Sequence, residues 1–443
     1  MSLTAAEASR LALERTWAAI EDGACTVLVD SPPGAGKSTL VREIGRRYAL
    51  RPLRQQVPVV VQTNDQADDM VRCFLRDGES GLPAITVGRL HSADYVPPPD
   101  IAAHASVTFS PTINTLRNCL VVVATAAKWA MVDHSNEWPF AIVDEAYQMR
   151  SDALLPIGAM MARLLLVGDP GQLAPFTIAD DTRFRGRPLS PVETAATTIL
   201  TTHPETTRIP LPVSWRLPHH AAKVISNAFY RAPFTSGTDV SARRLEVQCH
   251  PSNTCEAVLT AARTGWAYVE LDDIIMPPND QEAIFTLARL VRDILKAQIH
   301  VFDERGSRPL VPSDVAVGVT HRDQRDHVRT AMAGVLRKLG LPYNAITVDT
   351  ANVLQGREFE IVLVWHPLSG RRDASSFHLD AGRLCVLLSR HRQACIVVSR
   401  AGIRDQLRTH PATDPVWLGE SAPVTDGWHS HLTILDHLEA HRV

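Results

Sequence analysis

The chain has 443 residues, 45% apolar and 21% charged. That balance points to two or three folded domains and excludes a mini-protein, a fibrous repeat and a chain dominated by disorder. Forty-five Lys and Arg against 48 Asp and Glu leave a net charge of −3, so a nucleic-acid partner would be held by a local positive channel rather than a globally basic surface.

No apolar run approaches the roughly 18 residues of a membrane span, and MSLTAAEASRLALERT lacks a secretory core. The expectation is a soluble, cytoplasmic protein with no membrane partner, monomeric by default. Seven cysteines without a C-x-x-C indicate neither a disulfide framework nor a zinc finger; the closest pair, Cys249 and Cys255, flanks His250. The tail histidines His429, His431, His437 and His441 read as a polar helix face, since only His437 and His441 lie one turn apart.

Short Val, Ile and Leu runs at Thr26–Asp30, Pro58–Gln62, Leu120–Ala124, Phe140–Asp144 and Leu164–Gly168 predict buried parallel strands. Helical patterns at Leu40–Leu50 and Ala67–Arg76 lie between them, giving a parallel sheet covered on both faces. A second set, at Tyr268–Leu271, Val315–Val319, Ile346–Val348, Glu360–Trp365 and Ala394–Ser399, with an amphipathic helix at Gln281–Ala297, predicts a second α/β domain. The polar stretch around Thr201–Pro212 places the boundary, giving domains 1–205 and 206–443. Pro97–Pro99 and Pro277–Pro278 read as surface loops.

SPPGAGKST, Ser31–Thr39, sits between a strand and a helix and reads as a phosphate-binding loop. Gly34 and Gly36 let the loop Pro33–Thr39 curl so that the backbone N–H groups after Pro33, Ala35 among them, point at phosphate; Lys37 reaches the β and γ phosphates and Ser38 ligates Mg²⁺. Ser31 stands where the pattern has its first glycine. FAIVDEAYQ then ends a strand in two carboxylates: Asp144 is placed to hold Mg²⁺ through water, and Glu145 to accept a proton from the attacking water. ATP and Mg²⁺ are the cofactors this implies.

DEAYQ followed by VGDPGQLAP at Val167 resembles superfamily 1 helicases, in particular the branch of the nonsense-mediated-decay RNA helicase and its DNA relatives. The resemblance covers nearly the whole chain and implies two RecA-like parallel-sheet P-loop NTPase domains in tandem, with ATP bound in the cleft between them. It implies that Gln172 senses the γ-phosphate. LPVSWRLPHH is similar to the family's aromatic-Arg element, which makes Trp215 the adenine-stacking residue and Arg216 an arginine finger. VDTANVLQGREFEIVLVW is similar to the Gln-Gly-x-Glu element, with Gln355, Gly356 and Glu358 at the nucleotide and Thr350 at the nucleic-acid backbone. RLCVLLSRHRQ resembles the helix carrying the second finger, Arg390; Arg392 reads as structural or nucleic-acid-facing.

VVVQTNDQADD, GRLHS and VVVATAAKW sit where the family places backbone-binding elements, which makes Thr63, Asn64, Arg89 and Thr125 candidate contacts. In VGVTHRDQRDHVR, His321 and Arg322 replace the family's Pro-Tyr, and Arg322 is the candidate contact. Leu3 is followed by Glu7 where the family often has glutamine, so looser preference for ATP over other purine triphosphates is expected. The interval between Asn64 and Asp144 leaves little room for a large wedge insertion; strand separation would then be weak, or would depend on an accessory protein or on the loops near Pro97 and Thr235. The reading is an ATP-dependent helicase or translocase on single-stranded DNA or RNA, with an ATP-gated binding switch as the alternative.

Overall fold

A strand whose two faces are both covered can be apolar at every position, and that is how the Val-rich runs are used. The computed structural model describes residues 3–76, 85–135, 137–175, 184, 190–191, 193–249, 255–275, 279–409 and 427–443; His250, Pro277 and Pro278 lie outside this set. The chain divides into two compact units: Met1–Pro170 with Ala174–Pro212, and Gly171–Leu173 with Val213–Val443. Each is α/β with a large parallel sheet, as expected of tandem RecA-like domains.

In unit 1, eight parallel strands are β1 (Thr26–Asp30), β2 (Val57–Val61), β3 (Val87–Leu90), β4 (Val107–Ser110), β5 (Val121–Thr125), β6 (Ala141–Asp144), β7 (Leu164–Gly168) and β8 (Thr207–Pro210), in the order β4-β3-β5-β2-β6-β7-β1-β8. Alternate side chains serve two cores: Val27, Val59, Val123 and Ile142 pack on one face, with helices α1 (Ala5–Glu21), α2 (Lys37–Ala49) and α3 (Asn64–Leu75) contributing Ile20, Ile44 and Phe74. Leu28, Val60, Val122 and Val143 pack on the other. Pro58 is tolerated in an interior strand because the ladder to β6 covers only Val59 and Val60.

Two expectations are corrected here. The boundary lies at Pro212 rather than after residue 205, because Thr207–Pro210 pairs with β1 as a further parallel strand. Gln172, expected in the first domain, groups with unit 2: Gly171 lies against Tyr230, and Gly382 against the Gln172 carbonyl, closely enough that an added Cβ would come within 2.5 and 2.7 Å.

In unit 2, Val213–Ser214 (β9) and Thr235–Ser236 (β10) form a short ladder, and Arg244–Val247 (β11), Ile299–Asp303 (β13) and Gly306–Pro309 (β14) an antiparallel sheet. The main parallel sheet runs β12 (Trp266–Leu271), β18 (His391–Arg400), β17 (Phe359–Trp365), β15 (Val315–Val319), β16 (Thr347–Thr350). Val317, Leu363 and Ile396 fill one face, and Val364, Val397 and Trp266 the other.

A buried ion pair ties this sheet to its covering helix. Arg400 donates Nε and Nη2 to the two Asp280 oxygens at 2.8 and 2.9 Å, and Asp280 accepts from Ala283 N at the start of helix Gln281–Lys296. Their side chains are 1% and 2% exposed, so Arg400→Ala would strand a carboxylate. It is expected to cost about 3–5 kcal/mol, read as a drop in unfolding midpoint in urea.

Among the described residues, no helix is long and apolar enough to cross a membrane.

Candidate nucleotide site and nucleic-acid contacts

The loop after β1 needs glycine at two places, and has it there. Gly34 and Gly36 have φ of 70° and 84°, a region costly for residues with a Cβ. Gly36 is the N-cap of α2, so the helix begins at Lys37 with its unpaired N–H groups at the loop. Ser31 replaces the pattern's first glycine without strain, since it is not among the residues of positive φ; its N–H donates to Gly168 O at 2.7 Å, which fixes the loop's entry to the end of β7.

Lys37 Nζ is clasped by Glu145 Oε1 and lies 3.7 Å from Asp144 Oδ1. Burial opposes its charge, but Asp144 and Glu145 more than offset this and hold the ammonium above its ordinary value. Burial pushes the Asp144 carboxyl up, against the pull of Lys37. Glu145 has φ of 56°, a left-handed conformation that a glutamate adopts only where its surroundings enforce it. The following N–H groups show what does: Ala146 N donates to Val167 O, and Gln148 N and Met149 N to Glu145 O. The turn folds over Gly168, where a Cβ would come within 3.0 Å of Ala146 N. Glu145 Oε2 is buried with no partner among the described residues.

Tyr147 is a brace that the sequence reading missed. Its hydroxyl donates to Asp30 Oδ1 at 2.7 Å, while Arg208 from β8 donates to Asp30 Oδ2. This ties the ends of β1 and β8 to the acidic turn. An Asp ending the strand before the phosphate loop was the available signal.

Thr63 and Thr125 stand at the carboxyl ends of the adjacent strands β2 and β5, where each caps a helix: Thr63 Oγ1 accepts from Gln66 N and Thr125 Oγ1 from Lys128 N. Arg89 requires a correction. Its side chain is fully buried and donates to Asp68 Oδ1, Leu90 O and Asn64 Oδ1 at 2.8–2.9 Å, because Asp68 on α3 is itself buried and needs a cation. Arg89 therefore holds Asn64 in place rather than offering its guanidinium outward, and leaves the Asn64 amide nitrogen as the group a phosphate could use.

In unit 2, Trp215 is 39% exposed and lies on Gly237, where a Cβ would approach its ring to 2.8 Å. Arg243, also missed from sequence, donates to the carbonyls of Trp215 and Arg216 at 3.0 and 2.6 Å and is held by Glu304. Arg216 Nε donates to Glu358 at 3.0 Å, and Arg392 Nη1 to the same carboxylate at 3.3 Å. Burial raises the Glu358 carboxyl, but the two guanidiniums hold it below the ordinary range. Arg392 also meets Asp303. Gln355 Nε2 donates to Gln172 Oε1 at 3.0 Å, and Gly356 has φ of 83°. Arg390 is fully buried between helix Ala381–Leu388 and β18, with Nη2 donating to Ser389 Oγ. Thr350 is buried at the end of β16 and Arg322 is exposed at the start of helix Arg322–Lys338.

Residues 195–402 match the AAA domain family model, a superfamily 1 helicase-type family. The match spans just under half of the chain. No curated protein matches it. Among solved structures, the PRRSV helicase is similar at 14% identity with a TM-score of 0.43, over 92% of this chain and 57% of that one. The complex of the arterivirus nonstructural protein 10 helicase with DNA is similar at 14% identity with a TM-score of 0.41, over 88% and 61%. The chain thus spans less than two thirds of the length of either.

Proposed function

We propose that this chain is an ATP-driven helicase or single-strand translocase acting on DNA or RNA with little sequence preference. The observation that carries the reading is the clasp of Lys37 by Asp144 and Glu145 beside a loop of two positive-φ glycines. It sets a cation for phosphate, an acid for metal and an acid for water at one sheet edge. The AAA domain match over residues 195–402 supports the same class.

In this reading Pro33–Thr39 wraps the phosphates of ATP and Lys37 exchanges its carboxylates for them. Mg²⁺ would be held by Ser38 and, through water, by Asp144. The donor set fits, since Ser38 is exposed at the helix start and Asp144 is a buried carboxylate beside a cation, while phosphate and water oxygens supply the remaining ligands of such an ion. Glu145 accepts the proton of the attacking water. Trp215 carries the base, Glu358 with Gln355 and Gly356 the sugar side, and Gln172 senses the γ-phosphate. Arg216 neutralises the charge that develops in phosphoryl transfer, and Arg390, fully buried beside Ser389, would have to turn its guanidinium out of that position to join it. Thr63, Asn64, Thr125, Arg322 and Thr350 touch the strand's backbone, with Arg89 positioning Asn64.

The test is ATP hydrolysis by the purified protein with no nucleic acid, single-stranded DNA, single-stranded RNA and duplex. Stimulation by a single strand, together with directional displacement of a roadblock, is the expected result and names the track. Unstimulated turnover with ATP-dependent binding would replace the motor by an ATP-gated switch.

Base selectivity should be loose. Glu7 accepts from both Thr4 N and Thr4 Oγ1 at 2.8 Å in a capping box that starts α1, so it offers a purine no amide donor. GTP is expected to turn over within about tenfold of ATP, whereas a hydrogen-bonding pocket would discriminate far more; strict ATP dependence in a side-by-side assay would refute this.

A further inference from the structure

His321 and Arg322 bring no large aromatic ring to the end of β15, but the chain returns one there from a distant segment. Phe377, in the short helix Ser376–Leu379, is 40% exposed. Its position is fixed from below and from the side. The Arg383 guanidinium carbon lies 3.8 Å from the ring centroid, and Arg383 is only 6% exposed. That guanidinium is itself tied down, with Nε donating to Phe377 O at 3.1 Å and Nη1 to Asn352 Oδ1 at 3.4 Å.

The His321 ring lies nearly parallel to Phe377, at 26° with centroids 5.2 Å apart. Its own orientation is set by His378, whose Nε2 is 2.7 Å from His321 Nε2, and His378 is held by Ser375 Oγ at 2.6 Å. Two ring nitrogens at that distance share one proton between them, which locks both imidazoles.

A buried cation and a locked imidazole pair thus hold an exposed phenyl ring in one place. The ring needs no such support if it merely caps a short helix. Preorganisation of this kind lowers the entropy lost when a flat partner lands on it. The neighbours say which partner. Arg322 follows His321 directly and is exposed; Thr350 is paired in register with Val319, two residues before His321, so the Thr350–Asn352 segment ends at the same sheet edge. One pinned ring with an exposed cation on the residue after His321 and the Asn352 amide beside its supporting Arg383 suits a planar base with a phosphate beside it. A protein helix would need a row of apolar anchors, and a duplex keeps its base faces covered.

We propose that Phe377, backed by Arg383 and flanked by His321, is a stacking shelf for one unpaired base of the bound single strand. The inference rests on the nucleic-acid reading above and gives that reading a base contact in unit 2. Because every base has a π face, the shelf grips a strand without reading its sequence.

The test uses the full chain and a set of fluorescent single strands of about 12 nucleotides, each with one abasic site at a different position. With the unaltered protein, one position is expected to show an affinity loss of about tenfold, the size of one stacking contact. Phe377→Leu keeps apolar volume over Arg383 but has no π face; it should bind the intact strand about tenfold more weakly and lose the penalty at that position. Phe377→Trp should keep the penalty and show quenched tryptophan emission on binding. Equal thermal midpoints confirm that both variants fold. If Phe377→Leu gives the unaltered protein's affinities and abasic profile, the shelf is wrong while the helicase reading stands. If the unaltered protein binds no single strand in any nucleotide state, both fall.

Discussion

Glu145→Gln is expected to lower ATP turnover by about 10²–10⁴-fold, the range of a lost general base, while ATP affinity changes only a few-fold. The amide keeps the shape of the side chain and its left-handed backbone, which the turn to Ala146, Gln148 and Met149 enforces. What it loses is the ability to take a proton. It also frees Lys37 from one of its two carboxylates, leaving Asp144 as its partner, so binding of the phosphates should weaken little or even tighten. Lys37→Ala should show the opposite pattern, with ATP binding itself lost. Steady-state phosphate release together with titration of a fluorescent ATP analogue separates the two. A glutamine variant that keeps more than about a tenth of turnover, against the hundredfold minimum expected of a lost base, would remove Glu145 from the chemistry.

The phosphate loop was legible because its residues answer a local demand. Gly34 and Gly36 fall at the two positions of positive φ, and a serine where φ is ordinary costs nothing. The strands of both sheets were legible for a similar reason, since burial on both faces leaves unbroken apolar runs such as VVV at Val121 and IVLVW at Ile361. Strands β3, β4 and β8 and the antiparallel β11-β13-β14 sheet were not: β3 is buried but only four residues long and interrupted by Gly88 and Arg89, while β4, β8 and β14 are short and partly or fully exposed. Long-range polar partners were equally hidden. Nothing local tells Arg89 to turn toward Asp68, Arg243 to hold the Trp215 and Arg216 carbonyls, or Gln172 to settle beside Gln355. The C-terminal histidines were misread for a related reason. Helix Gly427–Glu439 is not a polar face at His431, which is fully buried; imidazole is apolar enough to enter a core when neutral, so its spacing alone does not give its side.

That burial is expected to make unit 2 acid-labile. His431 Nδ1 lies 3.4 Å from His366 Nε2, and His391 on β18 faces the Trp266 ring at 5.1 Å and the His220 ring at 6.1 Å. Burial pushes His391 and His431 down to about 3, His220, His378 and His437 to about 4, and His366 well below its ordinary value. An imidazole with a depressed pKa binds its proton less readily folded than unfolded, so its stabilising effect is complete above about pH 6.5 and is lost as pH falls toward 4. At pH 5 the fully buried His391 and His431 each cost about 2 kcal/mol by this linkage, and His220, His378 and His437 act in the same sense. Asp380 and Glu360, whose carboxyls burial pushes up, work the other way and trim the total. A loss of about 4 kcal/mol or more is a large part of the 5–15 kcal/mol available to a domain. Urea unfolding followed by the tryptophans of unit 2 should therefore show the midpoint dropping steeply between pH 7 and 5. His391→Leu, which removes one titrating group from the folded core, should make that slope shallower by about one proton. Stability that stays level from pH 7 to 5 would mean that these imidazoles are hydrated rather than held in a dry core.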